Sequence, residues 1–328
     1  MRVMPANLTP DYERAEQRYR EAQTDEERLE ALREMFRTIP KHKGTEKLQA
    51  DIKRKISLFR KTISKKPARG PDPYHVPRAG AGQVVLVGPP NTGKSLIVAK
   101  TTNAPVKVAD FPFSTSLPVP GMCNYEDVQI ELVDTPPITA DHIPGALMGT
   151  IRGADIVAIV VDAAADPLEQ IEMVTGVLSG RGLVLRSVPL NELDPSDFNQ
   201  KSCVVVANRI DAASADTVPT LRELYAGRLE IIGVSALTGE GLDVLIKRLW
   251  QLLALVRVYT KQPGKPPDRS KPFTLDIGAT VEDLAREIHR ELPEKMRFAR
   301  VWGDGRFAGQ QVHRSEVLRD GDVVEIHQ

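Results

Sequence analysis

The run Gly88-Pro89-Pro90-Asn91-Thr92-Gly93-Lys94-Ser95 constrains this chain more than any other, because it fits the phosphate-loop pattern G-x-x-x-x-G-K-[ST]. It follows the apolar Val84-Val85-Leu86-Val87, which reads as a short buried strand, and runs into Leu96-Ile97-Val98-Ala99-Lys100, which reads as the first turns of a helix. Backbone N–H groups in such a loop and at the helix N-terminus converge on a space that suits a polyphosphate. Gly88 and Gly93 permit the tight path. Lys94 is expected to neutralise the β- and γ-phosphates, which makes it a catalytic candidate, and the Ser95 hydroxyl to hold a magnesium ion that bridges them. Pro89, Asn91, Thr92 and Leu96 are expected to line the phosphates.

The remainder of the chain arranges itself around that loop. At 328 residues there is room for two or three domains, and the absence of an apolar leader in Met1 to Tyr12 and of any long apolar run predicts a cytoplasmic protein with no membrane span. Two cysteines, Cys123 and Cys203, and six scattered histidines show no metal-ligand spacing. Lys and Arg number 44 and Asp and Glu 44, so any attraction for nucleic acid must be local. Residues 1–70 read as a basic helical region in two segments with a break near Pro40 to Gly44. Between Lys41 and Gly70, eleven basic residues face two acidic ones, which fits either a solvated helix face or a nucleic-acid surface. Residues 71–82 read as a linker. Apolar runs at Val84–Val87, Val128–Val133, Ile156–Val161, Cys203–Ala207 and Leu229–Val234 then give residues 83–260 the pattern of an α/β fold with a doubly wound, mainly parallel sheet. Leu242 to Val256 reads as its closing helix. A proline-rich linker, 261–271, precedes a small unit over 272–328, with strands at Phe273–Ile277, Phe298–Trp302 and Val323–Ile326 and a helix capped by Thr280.

Four further stretches stand in the order a guanine-nucleotide switch requires. Thr115, in Phe113-Ser114-Thr115-Ser116, is placed to reach magnesium when a γ-phosphate is present, and is the second catalytic candidate. Asp134 ends a strand, where its carboxylate would sit in the outer shell of the same ion. Asn208-Arg209-Ile210-Asp211 follows another strand, so Asp211 can accept from guanine N1 and N2 while Asn208 braces the pocket. Adenine lacks that donor pair. Ser235-Ala236-Leu237, after the next strand, can offer a backbone N–H to guanine O6.

With these residues in view, the chain resembles the Obg-like GTPases and most closely their developmentally regulated GTP-binding protein (Drg) branch. Ala109-Asp110-Phe111-Pro112-Phe113-Ser114-Thr115 is similar to the first switch of that group. The stretch from Val256-Arg257-Val258-Tyr259-Thr260-Lys261 through Ala299-Arg300-Val301-Trp302-Gly303 is similar to the TGS domain, a ubiquitin-like β-grasp. The resemblance implies a P-loop G domain between an N-terminal helical region and a TGS domain, magnesium-dependent GTP hydrolysis, GTP and GDP as ligands, and a ribosomal or structured-RNA partner met through the basic helices or the TGS domain. A protein regulator is a further candidate partner, and potassium, held beside the phosphates by Asn91, a further candidate ion. Three departures stand out. Arg209 replaces the usual lysine, Pro137 replaces the glycine of the second switch, Asp134-Thr135-Pro136-Pro137, and the span from Asp134 to Asn208 lacks room for an inserted subdomain. Pro137 has no N–H to offer a γ-phosphate, so an alternative role is a GTP- and GDP-binding module with negligible hydrolysis.

Overall fold

The computed structural model describes residues 10–22, 25–40, 45, 48–56, 73–102, 117–140 and 143–328. The chain divides into two units, Met1–Asp72 and Pro73–Gln328.

In the first unit, helices α1 (Pro10–Glu21) and α2 (Asp25–Thr38) and a helical stretch α3 over 48–56 bury Tyr12, Ala15, Leu32, Met35, Ile39 and Ile52 together. The expected first segment is thus two helices. A single one would have left Tyr12 and Ala15 in water, whereas folding back buries them against Leu32 and Met35. Lys53 lies 5.3 Å from the Phe36 ring centroid and Lys55 5.8 Å from that of Tyr19, while Arg54 and Lys55 pair with Asp51. The other eight of the eleven basic residues, Lys41, Lys43, Lys47, Arg60, Lys61, Lys65, Lys66 and Arg69, lie outside the described residues.

The second unit contains two sheets. The larger has the order β2-β3-β1-β4-β6-β5, with β7 also pairing β6: β1 Gln83–Val87, β2 Val119–Tyr125, β3 Val128–Asp134, β4 Ile156–Asp162, β5 Val184–Arg186, β6 Gln200–Asn208 and β7 Ile231–Gly233. Only β2 runs antiparallel, to β3. The strands buried on both faces, β1 and β4, are continuous apolar runs, as a sheet covered by helices on each side demands. Val85, Val87, Ile159 and Val161 face α5 (Leu147–Gly153), α6 (Pro167–Gly180) and α7 (Thr217–Leu224). Val84, Leu86, Ala158 and Val160 face α4 (Lys94–Thr101) and α8 (Leu242–Leu253). Strand β1 lies between β3 and β4, so the chain turns to opposite sides of it and opens a crevice at its carboxyl end.

The second sheet has the order β11-β10-β12-β8-β9, built from β8 Leu255–Thr260, β9 Asp268–Asp276, β10 Phe298–Trp302, β11 Gln310–Val312 and β12 Asp322–His327. Its helix α9 (Val281–Ile288) starts in a capping box between Thr280 and Asp283, and a short α10 (Leu292–Lys295) follows. Two expected boundaries move. Helix α8 stops at Ala254, whose left-handed φ of 53° turns the chain, and 255–260 then pairs with both β12 and β9. Those residues belong to the C-terminal sheet, and the expected linker 261–271 is in part strand, since only 261–267 connects β8 to β9, which begins at Asp268. Nor is 73–82 a free linker, since Val76 is buried in the core, the Tyr74 carbonyl accepts from the Thr150 hydroxyl at 2.6 Å, and Gly80 bridges Ile130. Among the described residues no helix is long and apolar enough to cross a membrane.

Candidate nucleotide site

The expected residues of the loop and the base-reading segment converge at the carboxyl ends of β1, β3, β4 and β6. Between β1 and α4 the loop packs so closely that its glycines cannot be replaced. A Cβ on Gly88 would stand 2.1 Å from the Val160 carbonyl oxygen, and one on Gly93, whose φ is 85°, would stand 2.2 Å from Asn208 Nδ2. Asn91 is also left-handed, at φ 62°. Thr92 is buried, its hydroxyl donating to the Pro89 carbonyl at 3.1 Å. Leu96 packs partly against the core beneath α4.

Lys94 is 6% exposed, and its ammonium donates to the carbonyls of Gly88 (3.0 Å) and Pro89 (2.7 Å). Burial lowers its pKa to about 8, against the opposing pull of Asp134. The Ser95 hydroxyl donates to Asp134 Oδ2 at 2.6 Å, and Asp134 is fully buried at the end of β3. Two hard oxygen donors thus meet beside the phosphate loop, a pair that fits magnesium. Thr115, with the rest of the first switch, lies outside the described residues.

Asn208 ties the two halves of the site together. Its Nδ2 donates to the Thr92 carbonyl at 2.8 Å, and its Oδ1 accepts from the Ala236 N–H at 3.0 Å. Asp211 stands exposed at the rim, with Oδ1 accepting from the buried Ser235 hydroxyl at 2.5 Å. That bond orients the carboxylate. Because the Ala236 N–H is committed to Asn208, exposed Leu237 is the better-placed candidate donor to guanine O6.

Arg209, left-handed at φ 66°, donates to Asp162 Oδ2 at 2.6 Å. Asp162 was not among the sequence candidates, although it closes the apolar run of β4 as Asp134 closes that of β3. That position was the available signal. The second switch is also pinned. The Thr135 hydroxyl donates to the Leu86 carbonyl at 2.6 Å, the Ile138 N–H donates to the Gly88 carbonyl at 3.0 Å, and Pro136, Pro137 and Ile138 are buried.

A doubly wound sheet with a phosphate loop, an Asn-Asp pair at the base position and a β-grasp after it defines a P-loop GTPase. Two family models match, one described as a 50S ribosome-binding GTPase over residues 83–188 and one as a TGS domain over 256–328. Developmentally-regulated G-protein 1 of Arabidopsis thaliana is 30% identical over 369 residues, covering 92% of this chain and 90% of its own. An uncharacterized GTP-binding protein of Halobacterium salinarum is 29% identical over 365 residues, covering 92% and 98%. The chain belongs to the developmentally regulated GTP-binding protein family, and GTP hydrolysis is the reaction of that class. Both aligned lengths exceed the 328 residues here, so these relatives carry residues with no counterpart in this chain. Among solved structures, an Aquifex aeolicus Era variant bound to GDP and aluminium fluoride is 23% identical, covers 67% of this chain and 71% of its own, and has a TM-score of 0.41, too loose to transfer anything.

Two outcomes follow from this geometry. Asp211→Asn replaces one acceptor by a donor, so it should weaken guanine nucleotides at least tenfold and admit xanthine nucleotides, as competition binding will measure. Lys94 must be protonated to hold phosphate. Its pKa of about 8 in the free protein therefore predicts that nucleotide affinity holds below pH 8 and falls up to tenfold per unit above it, in titrations at pH 7, 8 and 9.

Proposed function

We propose that the protein is a cytoplasmic, magnesium-dependent GTP hydrolase of low intrinsic rate, acting as a switch or assembly factor on the ribosome or a structured RNA. The observation that carries the guanine-nucleotide part is the Asn208 bridge. It fixes the Asp211 rim against the phosphate loop, so base and phosphates can be held at one spacing. On binding, Lys94 would exchange two loop carbonyls for phosphate oxygens, and the loop N–H groups would supply the remaining donors. Ser95, Asp134 and Thr115 would hold magnesium, which supplies positive charge at the β- and γ-phosphate oxygens.

Low turnover has its support in Ile138. It stands where many switch proteins carry a water-orienting glutamine, yet it is fully buried in the cluster that contains Val87 and Leu147, and an apolar side chain cannot hydrogen-bond water. Potassium at Asn91 is the candidate source of the positive charge that other systems take from an arginine finger. A second reading, a GTP- and GDP-binding module with negligible turnover, is favoured by Pro137. It lacks the N–H that would report a γ-phosphate, and its neighbour's N–H is spent on Gly88.

The RNA part rests on the charge of residues 41–70 and on the description of the matched family model as ribosome-binding. Phosphate release measured with and without ribosomes, in potassium and in sodium, tests the hydrolase reading. Potassium should raise the rate and Asn91→Ala should erase the difference, whereas no release under any condition leaves the binding module. Pro137→Gly restores a backbone donor worth about 1.5–3 kcal/mol to a charged oxygen, so it should improve GTP over GDP by tenfold or more in equilibrium titrations. If several of Lys53, Arg54, Lys55, Arg60, Lys61, Lys65 and Lys66 meet phosphates, each adds about 0.7–0.9 to the slope of log affinity against log salt. Charge reversal there should abolish RNA binding and spare GTP affinity. Unchanged binding after removal of residues 1–65 would move the contact to the TGS domain.

A further inference from the structure

Strands β2 and β3 form an antiparallel ribbon at the edge of the larger sheet, with β3 also paired to β1 over Glu131–Asp134, and its two ends do different work. At one end Val119 pairs with Asp134, the residue bonded to Ser95, and β2 itself emerges only four residues after Thr115 of the first switch. The second switch leaves from the same end of β3. At the other end, Tyr125 pairs with Val128 across a turn of Glu126 and Asp127, in which Glu126 is left-handed at φ 50°. That tip is held by the C-terminal sheet. Arg257 of β8, its side chain 14% exposed, pairs with Glu126, with Asp127 at 3.1 Å and with Asp320 at 2.7 Å. Asp320 also accepts the Arg257 backbone N–H at 2.7 Å, and the Tyr259 hydroxyl donates to Asp127. Below them Tyr125 stacks on Trp250 of α8 at 5.5 Å, with the Arg257 guanidinium 5.8 Å from the Trp250 ring centroid.

We propose that the C-terminal sheet sets the balance between GTP and GDP by gripping the tip of this ribbon, with Arg257, Tyr259 and Asp127 as positioning residues. The idea deepens the GTP-binding reading and rests on it. In the gripped arrangement the seven-residue pairing of β2 with β3 is complete and Asp134 contacts Ser95 directly. For a magnesium ion and a γ-phosphate to draw in the first switch, the nucleotide end of β2 must yield, because Thr115 is only four residues before that strand. GDP recruits neither switch to a γ-phosphate, so it asks less of the ribbon. The grip therefore penalises the GTP form more. By linkage, whatever loosens the tip favours GTP, and GTP weakens the grip by the same factor. A macromolecule that pulls on the C-terminal sheet would in this way act on the nucleotide without touching it.

The test uses the full chain and three variants, Asp127→Asn, Tyr259→Phe and Arg257→Gln, with dissociation constants for GDP and for a nonhydrolysable GTP analogue measured in magnesium. Tyr259→Phe removes one hydroxyl and keeps the ring, so it remains informative should Arg257→Gln fail to fold. The expected result is that affinity for the GTP analogue rises about fivefold or more relative to GDP, the range of ordinary coupling between sites. In the wild type, hydrogen exchange at residues 125–128 and 255–260 should be faster with the analogue than with GDP. Equal changes for both nucleotides, or none, would mean that the contact only stabilises the fold and would overturn the proposal. Wild-type protein that binds neither nucleotide would instead strike the site reading on which it rests.

Discussion

The amide of Asn208 is the interaction on which the rest of the site depends. One side chain, 1% exposed, donates to the Thr92 carbonyl in the candidate phosphate loop and accepts from the Ala236 N–H in the candidate base loop. An amide is the neutral side chain that can do both at once, because it carries a donor and an acceptor on one rigid plane. Both partners are buried backbone groups, so losing either bond would leave a polar atom unsatisfied at a cost of about 1–3 kcal/mol. Gly93 has no side chain for the same reason, since Asn208 fills the space a Cβ would need. The parallel strands make this possible. β1, β4 and β6 run side by side in the same direction, so their carboxyl ends deliver the phosphate loop, Asp162 and Asn208 to one edge.

The same edge explains what is unusual about this member of its family. Arg209 stands in the place of the usual lysine, and its half-exposed guanidinium donates to Asp162 at the end of β4. The second switch is held at several points. Two prolines restrict its backbone, Thr135 and Ile138 bond to β1 and the phosphate loop, and Ile138 is inside the core.

Much of this was legible in the sequence because it is local. A strand, a glycine-bracketed loop and a helix occupy adjacent residues, and Asn208 and Asp211 both follow one apolar run, Cys203–Ala207, that reads as a buried strand. What escaped depends on partners distant in the chain or on a single backbone angle. Strand β2 escaped because it contains Pro120 and Gly121, turn formers in a sequence; it is an edge strand, and among the described residues Pro120 pairs only with Val133 of β3. The end of α8 was placed too late because Leu255 and Val256 continue its apolar pattern, and only the left-handed Ala254 stops it. Asp162 required the left-handed turn at Arg209 to become a site residue. The cluster of Tyr125, Trp250 and Arg257 joins three elements that no sequence pattern connects.

The central claim is that this is a guanine site in which the base is read strictly and the γ-phosphate weakly. Calorimetric titration of the wild-type protein with GDP, a nonhydrolysable GTP analogue and ATP, side by side in magnesium, tests it most directly. The account predicts affinities for the two guanine nucleotides within about tenfold of each other, and ATP weaker by a factor of about a hundred or more, since adenine offers Asp211 no donor pair. ATP binding as tightly as GTP, or a hundredfold preference for the GTP analogue over GDP, would contradict it.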